Sequence, residues 1–478
     1  MTDTPGRPLP DAVVIVLYGA TGDLASRMVL PALDEVRRRG LVPEHWAVIG
    51  CSTEDLDDAR FRDHVAEAVR AGGAGEDNTD AGAWIERVRY AGGGFTEDDA
   101  GELPQVLTEV SQQVGDAAGT EPLLVHFLAV PPGAFASITR GLGRHGLAEG
   151  SRVVFEKPYG TSLESFEELD RDVKEVLSEE QIFRIDHFLG KEGVQTLYVL
   201  RFANQLFGSE WDRSSVEQVQ IDVPEDLDVT NRIRFYEETG AALDMIVTHL
   251  FQVAGQVAME PPADLRDPDS VNDARERVLQ AFRQLDPAQD VVLGQFEGYR
   301  QIDGAAPDST TDTFAAVRLW VDTERWRGVP FLLRTGKRMA TKAQRVTLVL
   351  RPPFGPLAEE MDVPNTVQID ISGDGEVRLG ITVKTPGPEL TYSSGTAVLE
   401  LDDVPGGEPL SPYASLIHDV LTGDRSLFTT ADGLRAAFTA FAPLQGKDRP
   451  VPAVYAPGSW GPAEARELPA PHRWMLGE

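Results

Sequence analysis

Up to about residue 190, short apolar runs of strand length alternate with amphipathic stretches of helical period. The runs are Ala12–Tyr18, Trp46–Gly50, Val88–Ala91, Leu123–Val130 and Arg152–Phe155. Between them, Met28–Arg39, Phe61–Ala71, Pro104–Val114, Phe135–Leu142 and Leu163–Val176 each keep one polar face. Strand and helix in alternation predict an α/β domain, a parallel sheet doubly wound with helices. From about Val216 the texture changes. Strand patterns follow one another at Val216–Val223, Phe314–Val321, Phe331–Thr335, Arg345–Leu350, Thr366–Ile371 and Val377–Val383. That succession predicts a C-terminal α+β domain with a large, mainly antiparallel sheet. The pattern divides the chain into domains at 1–187 and 188–478. Pro262–Pro287 reads as helical or loop-like and acidic, Met1–Pro10 as a short disordered lead, and neither an internal repeat nor a low-complexity tract is visible.

Composition narrows the partners. With 478 residues and 41% apolar side chains, the chain has material for two cores. Its 77 acidic against 44 basic residues give a net charge of −33, which repels nucleic acid and anionic membranes at long range. An anionic ligand therefore needs a local basic pocket. The single cysteine, Cys51, excludes an internal disulfide and a cysteine-based metal cluster, and the eight histidines show no metal-ligand spacing. The sequence pattern offers no signal peptide and no long apolar span, so the expected location is the cytoplasm.

Two segments carry candidate chemistry. Gly19-Ala20-Thr21-Gly22-Asp23-Leu24 follows the first strand and leads into a helix, where glycines let a pyrophosphate approach backbone N–H groups. It is a shortened glycine loop, but its place after the first strand, with a second strand ending at Gly50, favours a Rossmann-like dinucleotide site. Beyond Gly50 the chain offers Cys51-Ser52-Thr53-Glu54-Asp55, with no Arg or Lys to receive a 2′-phosphate. The second segment is Arg184-Ile185-Asp186-His187-Phe188-Leu189-Gly190-Lys191-Glu192, which sets an acid, an imidazole and an ammonium at a predicted helix N-terminus. Such a terminus favours an anion such as a phosphate. Taken alone, the segment reads more simply as a capped helix start with a surface lysine.

Those two segments, together with Ala129-Val130-Pro131-Pro132, Glu156-Lys157-Pro158-Tyr159-Gly160, Leu200-Arg201-Phe202-Ala203-Asn204, Arg334-Thr335-Gly336-Lys337 and Gly458-Ser459-Trp460-Gly461-Pro462, resemble the glucose-6-phosphate dehydrogenase family over nearly the whole length. The resemblance implies oxidation of the C1 hydroxyl of β-D-glucose 6-phosphate to 6-phosphogluconolactone with hydride transfer to NAD or NADP, the first step of the oxidative pentose phosphate pathway. It implies His249 as general base, with Asp186 orienting its imidazole and stabilising the imidazolium. By the same resemblance His187, Lys191 and Lys342 take the phosphate, and Lys157, Glu225, Asp244 and Lys337 read the sugar hydroxyls. Gly19, Ala20, Thr21, Gly22, Asp23, Leu24, Thr53, Val130, Pro131 and Lys157 would contact the cofactor, and Pro158 would follow a cis peptide. A homodimer through the large sheet, or a homotetramer of such dimers, is implied as well.

The chain also departs from the family pattern. Phe188 stands where members usually carry Tyr, Met28 where they carry Lys, and Leu243, Val247 and Thr248 alter the segment before His249. Thr230-Asn231-Arg232-Ile233-Arg234-Phe235-Tyr236 replaces a glycine-rich loop. Two further readings stay open on these grounds: a dehydrogenase of a different aldose 6-phosphate, and a non-catalytic paralogue acting as a binding partner. Members preferring NADP generally place arginine where Thr53 stands, and Glu54 and Asp55 would repel a 2′-phosphate, so NAD, or use of both cofactors, is favoured. The acidic pair reads equally as the cap of a helix over Leu56–Val65.

Overall fold

The computed structural model describes residues 7–73, 81–208, 210–355, 363–372 and 375–477. The predicted lead up to residue 6 lies outside them. The chain forms two compact units. Unit 1 takes the residues up to Gly190 together with Asp267–Asp269 and Leu410–Ala431; unit 2 takes Lys191–Arg266, Ser270–Pro409 and the chain from Asp432 onward.

Unit 1 holds a sheet of β1 (Ala12–Tyr18), β2 (His45–Cys51), β3 (Val88–Ala91), β4 (Leu123–Leu128), β5 (Arg152–Phe155) and β6 (Ile182–Arg184). Their order is β3-β2-β1-β4-β5-β6, and every pairing is parallel. All seven residues of β1 are buried, as expected of a strand covered on both faces. The short β6 ends at Arg184, the first residue of the segment that carries Asp186, His187 and Lys191. The excursion 410–431 completes this unit. Arg152 Nη1 donates to the carbonyls of Val420 (2.6 Å) and Leu421 (2.8 Å). The Thr429 N–H donates to Arg184 O at 3.2 Å, and the Phe183 and Phe428 rings meet edge to face at 5.0 Å.

Unit 2 is built on a sheet of β7 (Val216–Pro224), β8 (Val291–Phe296), β9 (Phe314–Trp320), β10 (Pro330–Gly336), β11 (Arg345–Leu350), β12 (Thr366–Asp370), β13 (Glu376–Lys384), β14 (Tyr392–Glu400) and β15 (Ala453–Tyr455). Its order is β14-β13-β12-β11-β7-β10-β9-β8-β15. The pairings are antiparallel except for β7 with β10 and β8 with β15. At the centre, fully buried Arg334 pairs with Asp222 at 2.6 Å and stacks on Trp474 (4.1 Å) and Trp460 (5.2 Å). Its Nη2 donates to Leu476 O at 2.7 Å, and Gln220 binds Arg473 O and the Met475 N–H, both at 2.8 Å. Residues 460–476 are thereby strapped across β7 and β10.

One expectation needs correction. The helical run Thr230–Ala258 is long and apolar enough to cross a bilayer by length and composition, contrary to the expectation of no long apolar span. Nearly all of its apolar window is buried inside unit 2, which makes it a core element. The periodicity hides the run because it is two helices: Gly240 breaks it with φ 64° and ψ 178°.

Candidate active site

In unit 1 the candidate groups lie in the loops that follow the parallel strands, where open α/β sheets bind ligands. Gly19, at φ +70°, is fixed by its surroundings: a Cβ there would lie 2.4 Å from Ala129 O and 3.0 Å from Val130 Cγ1. Only glycine fits between the β1 loop and Val130–Pro131, which continue from β4. The N–H groups of Gly19 and Ala20 both donate to Cys51 O (2.8 and 3.3 Å), tying the loop to the end of β2. Gly22 N–H then donates to Gly19 O (2.9 Å), and Thr21, Asp23 and Leu24 carry the chain into the helical run. This tight turn into a helix N-terminus fits a dinucleotide pyrophosphate.

The loop after β2 contains a link that the sequence reading missed. Ser52 is buried, and its hydroxyl meets Tyr90 Oη (2.7 Å) and Thr21 Oγ1 (3.3 Å) while accepting from the Glu54 N–H (3.3 Å). The glycine loop and the second-strand loop are thus tied by one serine. Thr53, Glu54 and Asp55 are exposed. The following helix begins at Asp58 and is capped by Asp57, which accepts from the Arg60 N–H at 2.8 Å. Glu54 and Asp55 are therefore not the cap, and the alternative reading of that pair as a cap is withdrawn.

Lys157 follows β5, and the Lys157–Pro158 peptide is cis, as the resemblance implied. Its neighbour in the motif is Glu156. Glu156 is buried and accepts from Tyr413 Oη at 3.3 Å. Burial pushes its pKa up to about 7, against the opposing pull of the Tyr413 hydrogen bond and the Lys157 charge. At the exit of β6, Asp186 is buried and its Oδ1 accepts from the Phe188 N–H (2.9 Å), forming a tight turn. The turn presents His187, half-buried and stacked on Tyr413 with ring centroids 6.3 Å apart. Phe188 is 3% exposed. Arg184, which opens the motif, is structural: it pairs with Asp170 (2.8 Å) and Glu179 (2.6 Å) over the Tyr159 ring.

Unit 2 supplies the remaining groups. Lys191 is the N-cap of the helix Glu192–Ala203, and its Nζ donates to Gln344 Oε1. Gln344 lies on the β10–β11 loop two residues after exposed Lys342, so one loop brings the two lysines' segments together. Pairing of β7 with β10 sets Gly336 opposite Pro224 in parallel register, and the next residues, Lys337 and Glu225, emerge side by side. Their side chains form an ion pair of 2.6 Å, while the Glu225 N–H donates to Gly336 O at 2.9 Å.

Asp244 and His249 sit on Ala242–Leu250, a run with π-type hydrogen bonding that packs on β10. In that register residues five apart are about one turn apart, which brings Asp244 and His249 to the same side of the run. Both are buried, His249 to 1% exposure. Asp312 sets the start of the run: its carboxylate accepts from the Ala242 N–H (2.7 Å), pairs with Arg449 and lies where a Cβ on Gly240 would come within 2.5 Å. Elsewhere in unit 2, an apolar cavity of about 410 Å³ is lined by Phe207, Trp211, Leu348, Leu350 and Val367. None of Asp186, His187, Glu225, Asp244, His249 or Lys337 lines it.

Residues 16–196 match the family described as glucose-6-phosphate dehydrogenase, NAD binding domain, and residues 198–475 match glucose-6-phosphate dehydrogenase, C-terminal domain. The chain is 36% identical over 486 residues to a glucose-6-phosphate 1-dehydrogenase of Mycolicibacterium smegmatis, covering 96% of each chain. Against glucose-6-phosphate 1-dehydrogenase 6, cytoplasmic, of Arabidopsis thaliana it is 32% identical over 475 residues, covering 96% of this chain and 91% of the relative. The crystal structure of glucose-6-phosphate 1-dehydrogenase from Mycobacterium avium matches with a TM-score of 0.85 at 32% identity, covering 98% of this chain and 99% of the other. A glucose-6-phosphate dehydrogenase solved in complex with its substrate glucose-6-phosphate matches with a TM-score of 0.91 at 28% identity and the same coverage. The conclusion is that this chain belongs to the glucose-6-phosphate dehydrogenase family.

Proposed function

We propose that the chain is a glucose-6-phosphate 1-dehydrogenase, oxidising the C1 hydroxyl of β-D-glucose 6-phosphate to 6-phosphogluconolactone. The observation that carries this reading is the parallel pair β7–β10, which sets the Glu225–Lys337 pair at one strand end while the run bearing Asp244 and buried His249 packs on β10. Oxidising a hemiacetal removes a hydride from C1 and a proton from its hydroxyl. When bound, the nicotinamide supplies the hydride acceptor. We assign the proton to His249, whose burial keeps bulk water from competing for it, and the charge that stabilises the imidazolium to Asp186. Lys191, Lys342 and His187 meet the phosphate; Glu225, Asp244, Lys337 and Lys157 orient the sugar. The test is nicotinamide reduction with a panel of aldose 6-phosphates and both cofactors. Fastest turnover of glucose 6-phosphate is expected; faster turnover of another aldose 6-phosphate reassigns the substrate, and no turnover with any overturns the reading.

For the cofactor we infer a preference for NAD. Of the arginines near the second-strand loop, Arg62 binds the carbonyls of Val88 and Glu86, Arg89 pairs with Asp58, and exposed Arg27 lies 3.4 Å from Asp23. A 2′-phosphate beside Thr53 would instead meet Glu54 and Asp55. A higher kcat/KM with NAD is expected in the parent, and Thr53→Arg is expected to shift the ratio toward NADP. A parent that clearly prefers NADP contradicts this inference. We also infer a homodimer through β13 and β14, where Ile381, Val383, Val398 and Leu399 are exposed; sedimentation of the full chain as a monomer would count against it.

A further inference from the structure

Tyr236, on the helix Ile233–Ala241, is 1% exposed, and among the described residues its phenolic oxygen has no hydrogen-bond partner. A buried hydroxyl without a protein partner is a standing cost to the fold, one that phenylalanine would avoid while filling the same space. The ring sits in a buried cluster with Ile233, Phe296, Tyr299 and Phe314, and Lys337, assigned above to the sugar, places its Nζ 5.6 Å from the ring centroid. Burial first, and then the carboxylates of Asp244, Glu225 and Asp312, push its pKa well above the ordinary tyrosine value, so the group stays a protonated donor. Two of those neighbours are committed elsewhere: Glu225 to Lys337, and Asp312 to the Ala242 N–H and Arg449. An apolar site would have no use for this hydroxyl. A site that recognises a hydroxylated ligand does, because a buried donor awaiting its acceptor discriminates strongly against ligands that lack one.

The geometry points to Tyr236 as a further substrate-contacting residue, its O–H donating to a hydroxyl of the bound sugar phosphate beside Lys337 and Glu225. This assignment rests on the reading of the Glu225–Lys337–Asp244 cluster as sugar-binding.

Tyr236→Phe in the full chain removes the oxygen and leaves the shape. Thermal unfolding of the free variant is expected at a higher temperature than the parent, since the unbonded hydroxyl is gone. Affinity for glucose 6-phosphate is expected to fall by about 5- to 10-fold, the scale of one hydrogen bond, with the KM for the nicotinamide cofactor unchanged. A merely structural hydroxyl would not move stability and affinity in opposite directions. Glucose 6-phosphate analogues lacking one hydroxyl, used as competitors, sharpen the test: the analogue missing the contacted group is expected to bind parent and variant alike, whereas the others keep the difference. Equal affinity of parent and variant for glucose 6-phosphate overturns the role of Tyr236 and leaves the proposed function standing, as does an equal loss against every analogue. A parent that does not bind glucose 6-phosphate overturns the function, and this role with it.

Discussion

The two units both carry candidate chemistry at the ends of parallel strands, but with different parts of the chain. In unit 1 every strand is parallel, and the glycine loop offers backbone: Gly19 is there because nothing larger fits against Ala129 O. In unit 2 the parallel pair β7–β10 stands inside a mainly antiparallel sheet, and what it offers is charge, the Glu225–Lys337 pair. A dinucleotide pyrophosphate suits backbone N–H groups and a helix terminus. A sugar with several hydroxyls needs side chains at distinct positions and angles. The comparison teaches that a backbone site is specified by residues that are missing, and a side-chain site by residues that long-range pairing brings together.

The sharpest way to break this division is at His249. Replacing it by Asn is expected to lower kcat by about 10²–10⁴ while leaving sugar-phosphate affinity nearly unchanged, as loss of a positioned base does; unchanged turnover in steady-state kinetics would remove it from the mechanism. Next in size is Lys191→Ala, expected to weaken glucose 6-phosphate binding by roughly 1.5–3 kcal/mol, the scale of a hydrogen bond to a charged group. Calorimetry with unphosphorylated glucose serves as the control. Equal losses for both sugars would make the Lys191–Gln344 contact structural.

Gly19→Ala tests the other half. Holding alanine at φ +70° costs about 1–2 kcal/mol before the clash with Ala129 O is counted. The KM for the cofactor is expected to rise while the dissociation constant for the sugar phosphate, measured without cofactor, stays put. A matching loss for the sugar would mean that the two kinds of recognition are not separable.

A separate test, read in stability and not in activity, concerns Glu156. Its folded pKa of about 7 lies above the ordinary 4.5, so between those values the folded chain keeps a proton that the unfolded chain releases. The stability this group contributes is full below pH 4.5 and is lost as the pH rises toward 7. Glu156→Gln removes that dependence. Melting temperatures across this window are expected to fall with pH in the parent relative to the variant, and parallel curves would show that the carboxyl is not held neutral.

Much of unit 1 was legible because its logic is local. A buried parallel strand announces itself as an unbroken apolar run, and four of the five predicted strands end within a residue of the observed ones; β4 stops two residues early, although the Ala129 N–H still donates to Tyr18 O. Unit 2 was read less completely. β8 is short and interrupted by Gly294, β14 is built largely of small, exposed residues, and β15 has three residues, so none of them shows a pattern. The sequence motifs located Lys337 and Glu225 only through family resemblance, because the pairing that joins them spans 112 residues. The relation of Asp244 to His249 was hidden for another reason: read with an α-helical period they face different ways, and only the π-type register brings them to one side. Ser52 and Gln344 had no signal at all, since a hydrogen-bonded linker looks like any polar residue in a loop.

The excursion 410–431 bears on how the molecule is made. Arg152, Arg184 and Phe183 in unit 1 find their partners at Val420, Leu421, Phe428 and Thr429, so a ribosome that has released the whole parallel sheet has still not released what finishes it. The nascent sheet must wait through the synthesis of most of unit 2, and unit 2 in turn waits for Trp474 and Leu476 to close over Arg334. Neither unit is a detachable module: a fragment cut at Gly190 would carry the glycine loop intact and leave the guanidinium of Arg152 without the carbonyls that hold it.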